Sequence, residues 1–126
     1  MRPPDPALLD RHWNCRISVR GRRTGEPRTT TVWFVAEPGR ILLAGGKENP
    51  QWCRNLRADG SITVQIGRDR FSGRGRVVDD PAAASAIRDR FVRKYLLARL
   101  SRLFGGYRSS VAVEVILDPA PGARSA

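Results

Sequence analysis

The sequence has little that could hold a metal or form a disulfide framework. Its 126 residues include one histidine, His12, and two cysteines, Cys15 and Cys53, with no CxxC pair. A structural zinc site needs four convergent ligands, so zinc is not expected. The two thiols read better as reduced than as bonded, although a pairing across neighbouring strands stays open. Lysine is nearly absent: Lys47 and Lys94 are the two among 23 basic residues. No apolar run approaches the roughly 20 residues of a membrane-spanning helix. The opening MRPPDPALLD lacks the apolar stretch of a secretory signal. These absences set the expectation of a cytoplasmic protein. A chain this short supports one core better than two. The expected division is a flexible tail over residues 1–12, one domain over 13–118 and a second flexible tail over 119–126.

What is present is arginine. The formal net charge is +11, which draws acidic partners: a phosphorylated ligand, nucleic acid or an anionic membrane surface. Arginine in particular binds phosphate and carboxylate through two parallel donors. A coding sequence rich in G and C also favours arginine without any functional cause.

Periodicity gives the elements. NCRISVR alternates with Cys15, Ile17 and Val19 on one face, the mark of a strand. RGRRTGEPR follows as a turn, then the β-branched and aromatic run over 29–37, the turn PGR and a third strand over 40–45. ENPQWCRNLRADG reads as a short helix with Asn49 as N-cap, Pro50 in the first turn and Gly60 as terminator. A second hairpin pairs residues 61–66 with 71–78. Gly73 and Gly75 inside it indicate a bulge or a close backbone approach. Asp80 and Pro81 open a long helix expected over 81–104. Its apolar face includes Ile87, Phe91, Val92, Tyr95 and Leu96, and its other face is basic. SVAVEVIL is the last strand. Only two of the links are helical, which excludes a Rossmann unit. The fold class expected is mostly β with flanking helices: a mainly antiparallel split β-barrel with one short and one long helix. The long helix reads either as a cover over the barrel or as an interfacial helix in peripheral contact with a membrane.

Two stretches can carry chemistry. RGRRTGEPR places Arg20, Arg22, Arg23 and Arg28 beside two glycines, with the hydroxyls of Thr24, Thr29 and Thr30 close by. It reads as an anion cradle or as a solvated basic turn. The GxxxxGK[ST] spacing is absent, so a nucleoside triphosphatase is not supported. AGGKENPQWCRN adds small residues, Lys47 and a helix start whose free N–H groups favour an anion. Trp52 there is either a ring-stacking wall or a core plug. Cys53 reads as a buried inert thiol.

Together RGRRTGEPRTT, the strand after it, the loop with Lys47 and NPQWCRNLRADGSITVQIG resemble the deazaflavin (F420)-dependent nitroreductase family. That family is related to the pyridoxamine-phosphate oxidase-like split-barrel flavoproteins. The resemblance runs over 18–79 and more loosely to Leu117, and WxxNLxAD is its most specific element. It implies an F420H2-dependent oxidoreductase passing a hydride to an electron-poor organic acceptor such as a nitroaromatic, an enone or a quinone. The implied cofactor is coenzyme F420, with FMN as the alternative. Implied cofactor-binding residues are Arg22, Arg23, Gly25, Arg28, Thr29, Gly45, Gly46, Lys47, Trp52 and Asn55. Tyr107 is the candidate catalytic residue, as pocket wall or proton donor; Tyr95 fits core packing better. Cys53 stands where the family usually has an aromatic residue, and Thr31 where it often has proline. Implied partners are the anionic deazaflavin and a small hydrophobic acceptor, with a homodimer open. Two other classes remain: a split-barrel protein that binds FMN or haem without turnover, and a basic nucleic-acid binder. The second lacks any RRM, zinc-finger or helix-turn-helix signature.

Overall fold

A computed structural model of the chain describes residues 5–44, 50–95 and 111–118. Six strands close a barrel: β1 (Cys15–Arg20), β2 (Pro27–Glu37), β3 (Arg40–Ala44), β4 (Ser61–Ile66), β5 (Asp69–Val77) and β6 (Ala112–Leu117). Around the barrel the order is β1-β2-β3-β6-β5-β4, with β4 returning to β1 and every neighbouring pair antiparallel. This is the expected split β-barrel. Alternation fixes which face looks inward. Cys15, Ile17 and Val19 of β1 are buried, as are Ile62, Val64 and Ile66 of β4. A one-residue slip of either strand would turn each set outward.

The turns follow their residues. Gly39 sits at φ 74° in the two-residue β2–β3 turn, and Gly67 at φ 60° in the β4–β5 turn. Both lie in the left-handed region that glycine adopts without strain. Gly73 and Gly75 mark a close approach and not a bulge, because the β5 pairings run without a break. A Cβ on Gly73 would collide with the Ile116 carbonyl, and one on Gly75 would lie 3.0 Å from Leu56.

Each end of the barrel is plugged. At one end α2 (Gln51–Ala58) inserts Trp52, Cys53 and Leu56 into the core. Pro50 caps α2 without a side-chain bond, and the expected cap Asn49 lies outside the described residues. The helix ends at an extended Asp59, so Gly60 is not a left-handed terminator; its carbonyl accepts instead from Gly75 N–H. At the other end the segment expected to be a tail is folded. Asp5 and Pro6 start α1 (Pro6–Leu9), and Leu9 is buried in the barrel core. The reason is the edge of β2, which runs on past its last partner in β1 at Val32. Asp10 accepts from the Ala36 N–H there, and Tyr95 Oη bonds both backbone groups of Phe34. These contacts satisfy an edge that would otherwise be left bare.

Asp80 caps α3 (Pro81–Lys94) through the Ala83 N–H, with Pro81 in the first turn. Ile87 and Phe91 pack on Val35, Leu42 and Ala112 of the barrel's outer face, so this helix covers the barrel. It does not run unbroken to 104: Tyr95 is extended, drawn by its hydroxyl to the β2 edge, and residues 96–110 lie outside the described residues. The tail expected over 119–126 lies outside them too. Among the described residues no helix is long and apolar enough to cross a membrane.

Candidate functional site

The loop over 21–26 folds back against α2. Gly25 N–H closes on the Gly21 carbonyl at 2.8 Å with Gly25 at φ 77°, and Gly21 N–H reaches the Glu26 carbonyl at 2.8 Å. Glu26 N–H donates to Thr24 Oγ1 at 3.2 Å. The loop's anchor is Asn55 on α2, whose Oδ1 accepts from the Arg22 N–H at 3.2 Å and from Arg22 Nη1 at 2.8 Å. Arg22 Nη1 also donates to Gln51 Oε1 at 2.9 Å.

Between this loop, the start of β2 and α2 lies a cleft of about 460 Å³, within the range of small-molecule sites. It is lined by Arg22, Arg23, Thr24 and Arg28 from the loop and β2, by Thr29 and Thr30, and by Gln51, Trp52, Arg54 and Asn55 from α2. The sequence therefore placed Arg22, Arg23, Arg28, Thr29, Trp52 and Asn55 together. Gly25 lies elsewhere: it borders a second depression, on the outer face of β1, β4 and β5. That depression carries Arg20 and Arg74, and both guanidiniums face the Asp59 carboxylate. Gly45, Gly46, Lys47 and Tyr107 lie outside the described residues.

The first cleft is the one equipped for an anion. The side chains of Arg23, Arg28 and Arg54 make no hydrogen bond or ion pair among the described residues, and three guanidiniums without carboxylates there raise the local potential. The backbone amides of the loop are mostly committed: those of Gly21, Arg22, Gly25 and Glu26 all have partners within the protein, which leaves Arg23 and Thr24. The donors available at the cleft are therefore mainly side chains. Trp52 is both wall and plug, since it lines the cleft and is buried in the barrel core.

Arg54 and Gln51 were missed by sequence reasoning. The signal was available: Gln51, Arg54 and Asn55 sit at i, i+3 and i+4, one face of a helix. Cys53 points the other way, fully buried, and burial pushes its thiol up to about 12 despite the opposing effect of Arg57. Tyr95 is likewise core: burial raises its phenol, and its hydroxyl lies 2.9 Å from the Trp13 carbonyl and 2.7 Å from that of Phe34.

The comparisons with known proteins bear on the family and the fold. The family model described as F420H(2)-dependent quinone reductase matches residues 13–99. The chain belongs to that family. A Mycobacterium tuberculosis protein named as an F420H2-dependent quinone reductase is 32% identical over 73 residues, covering 55% of this chain and 56% of the relative. The chain thus spans about half the length of the curated relatives it matches. An F420-H2 dependent reductase structure superposes with a TM-score of 0.64 at 18% identity, covering 82% of this chain and 93% of the other. A Listeria innocua protein described as a pyridoxamine 5'-phosphate oxidase superposes with a TM-score of 0.65 at 17% identity, covering 90% of each chain. At these identities the superpositions establish the shared fold, a split β-barrel, and nothing beyond it.

Proposed function

We propose that this chain is an oxidoreductase that binds coenzyme F420 and reduces an electron-poor organic acceptor, of the quinone, nitroaromatic or enone class. The observation that carries the reading is the set of guanidiniums of Arg23, Arg28 and Arg54 in the cleft beside α2, which have no partner among the described residues. A phosphate or acidic group is the ligand such a set fits. When bound, a reduced deazaflavin supplies a hydride, and the protein supplies binding, orientation and local charge. The hydroxyls of Thr29 and Thr30 add neutral donors at the same cleft, and buried Trp52 excludes water along one wall. Lys47, Gly45 and Gly46 are proposed to complete the cleft from the loop before α2. The phenol of Tyr107 is proposed to hold the proton that the reduced acceptor takes up. The proposed setting is cytoplasmic.

Fluorescence titration of the purified chain with F420 and with FMN, beside steady-state reduction of menadione by F420H2, tests the proposal. Saturable F420 binding with turnover is the expected result. Binding of FMN alone would move the chain to the flavin branch of the fold. Retardation of nucleic acid at physiological salt, with neither cofactor bound, would end the enzyme reading.

A further inference from the structure

Arg22 is the arginine in the cleft whose guanidinium is tied to the protein, through Nη1. Its Nη1 lies 2.8 Å from Asn55 Oδ1 and 2.9 Å from Gln51 Oε1, and its backbone N–H also reaches Asn55 Oδ1. Both acceptors are neutral carboxamides, so the arrangement fixes the guanidinium in place without cancelling its charge. Asn55 is 5% exposed and is the buried polar residue of the described core. Because two donors converge on one end of its amide, that end must be the oxygen. The NH2 end has no partner among the described residues and belongs to a side chain lining the cleft.

We infer that Arg22, Gln51 and Asn55 form a positioning clasp that sets the 21–26 loop on α2, while the ligand's anion is met by Arg23, Arg28 and Arg54 together with the Asn55 NH2 group. The identity of that ligand rests on the reading given above; the clasp does not. Arg54 becomes a ligand-binding residue and Arg22 a residue that acts through the loop it holds. Geometry separates the two roles. Arg54 shares a face of α2 with both carboxamides of the clasp, yet has no bond to either. Arg22 cannot serve a ligand with the same Nη1 without releasing Asn55, which would uncouple the loop carrying Arg23 from the helix carrying Arg54.

The test uses Arg22→Lys, Asn55→Ala, their double variant and Arg54→Ala. Arg22→Lys keeps the charge and the tryptic site but loses the planar fork. The first readout needs no ligand: the rate of tryptic cleavage after residues 22 and 23 in the intact protein. Arg22→Lys and Asn55→Ala are each expected to speed it about tenfold, the double variant no more than either alone, since partners in one contact are not additive. Arg54→Ala is expected to leave it unchanged. The second readout is affinity for F420 and for inorganic pyrophosphate across a salt series. The clasp variants should weaken binding about tenfold with the salt dependence unchanged, as no charge is lost. Arg54→Ala should weaken binding and flatten the salt dependence. Wild-type protection from trypsin in Arg22→Lys, additive effects in the double variant, or wild-type salt dependence in Arg54→Ala would each overturn the assignment. Should Asn55→Ala not fold, Gln51→Ala replaces it. Should F420 bind to no form, the functional proposal fails, and the trypsin and pyrophosphate results still decide the clasp.

Discussion

The two ends of β2 treat basic side chains in opposite ways. At the Glu37 end, Arg40 lies between Glu37 and Glu114, Arg76 adds to Glu114, Arg90 to Glu37, and Lys94 meets Asp10 at 2.8 Å. At the Pro27 end, roughly 35 Å away along an extended strand of this length, the side chains of Arg23, Arg28 and Arg54 surround a cleft with no carboxylate partner among the described residues. The net charge of +11 is therefore unevenly placed. Where the fold uses a cation to tie α1, α3 and the β2–β3 hairpin together, it supplies an anion from within. Where it does not, the cations stand ready for an anion from outside. The difference separates structural arginine from ligand-facing arginine without reference to any relative.

The sharpest way to break that comparison is at Lys94. Its ammonium donates to Asp10 and to the Phe34 carbonyl at 2.8 Å each and lies 3.6 Å from the centre of the Phe34 ring. Lys94→Met removes the charge and leaves Asp10 facing the Ala36 N–H alone. The expected loss, read by urea denaturation, is up to about 3 kcal/mol of unfolding free energy, because this partly buried cation loses the Phe34 carbonyl and ring contacts along with its ion pair. Affinity for an anionic ligand should not change. A variant as stable as wild type, or one with altered cleft affinity, would erase the distinction between the two ends.

Charge reversal at the cleft should have the converse signature. Arg23→Glu or Arg28→Glu is expected to weaken F420 by about 1.5–3 kcal/mol from the lost charge-assisted contact, with like-charge repulsion added. Stability should be unchanged or slightly higher, because each change relieves repulsion among neighbouring cations. A deazaflavin analogue without the phosphate should bind all forms alike. Fluorescence titration at two salt concentrations, beside denaturant unfolding, checks both halves.

Much of the fold was legible in the sequence, but the contrast between the two ends of β2 was not. Alternation in CRISVR and SITVQIG located the inward faces, and Asp80-Pro81 located the start of α3, because these signals are local. RGRRTGEPR was legible as one site with α2 only through a family resemblance, since 33 residues separate Arg22 from Asn55. The N-terminal segment was misread as a tail for a related reason. Asp10 and Leu9 are held by Ala36, Lys94 and the barrel core, contacts that no short window contains. The amide count at the loop was also hidden, because it depends on which carbonyl each N–H finds after closure.

The thiols of the barrel core offer a smaller effect. Burial pushes Cys15 and Cys53 each up to about 12, against an ordinary value of 9.0, with Lys94 opposing at Cys15 and Arg57 at Cys53. A pKa raised by folding means that the unfolded chain releases these protons first. Their contribution to stability is therefore intact below pH 9 and falls as pH rises toward 12. Unfolding midpoints measured from pH 8 to 10.5 should decline, and Cys53→Ala should flatten the decline. At pH 8 a thiol reagent should modify native protein no faster than it unfolds. Rapid modification of Cys53 would place it at the cleft instead of in the core.

The finest test compares two arginines three residues apart on α2. The Arg54 side chain faces the cleft with no partner among the described residues, whereas Arg57 grips Asp79 with two bonds of 2.7 and 3.1 Å. Asp79 is fully exposed, and the Arg57 guanidinium holds its carboxyl below the usual range. Because folding lowers that value, the pair's contribution is present above the ordinary carboxylate pKa and is lost as pH falls through the depressed one. Exposed ion pairs contribute little and are screened by salt. Arg57→Ala should therefore lower stability only slightly near neutral pH, and almost not at all in concentrated salt or in acid. It should leave ligand affinity untouched, while Arg54→Ala does the reverse. Equal effects on affinity from the two would mean that the cleft responds only to total charge, and that pairing with a carboxylate does not decide which arginines are free to bind.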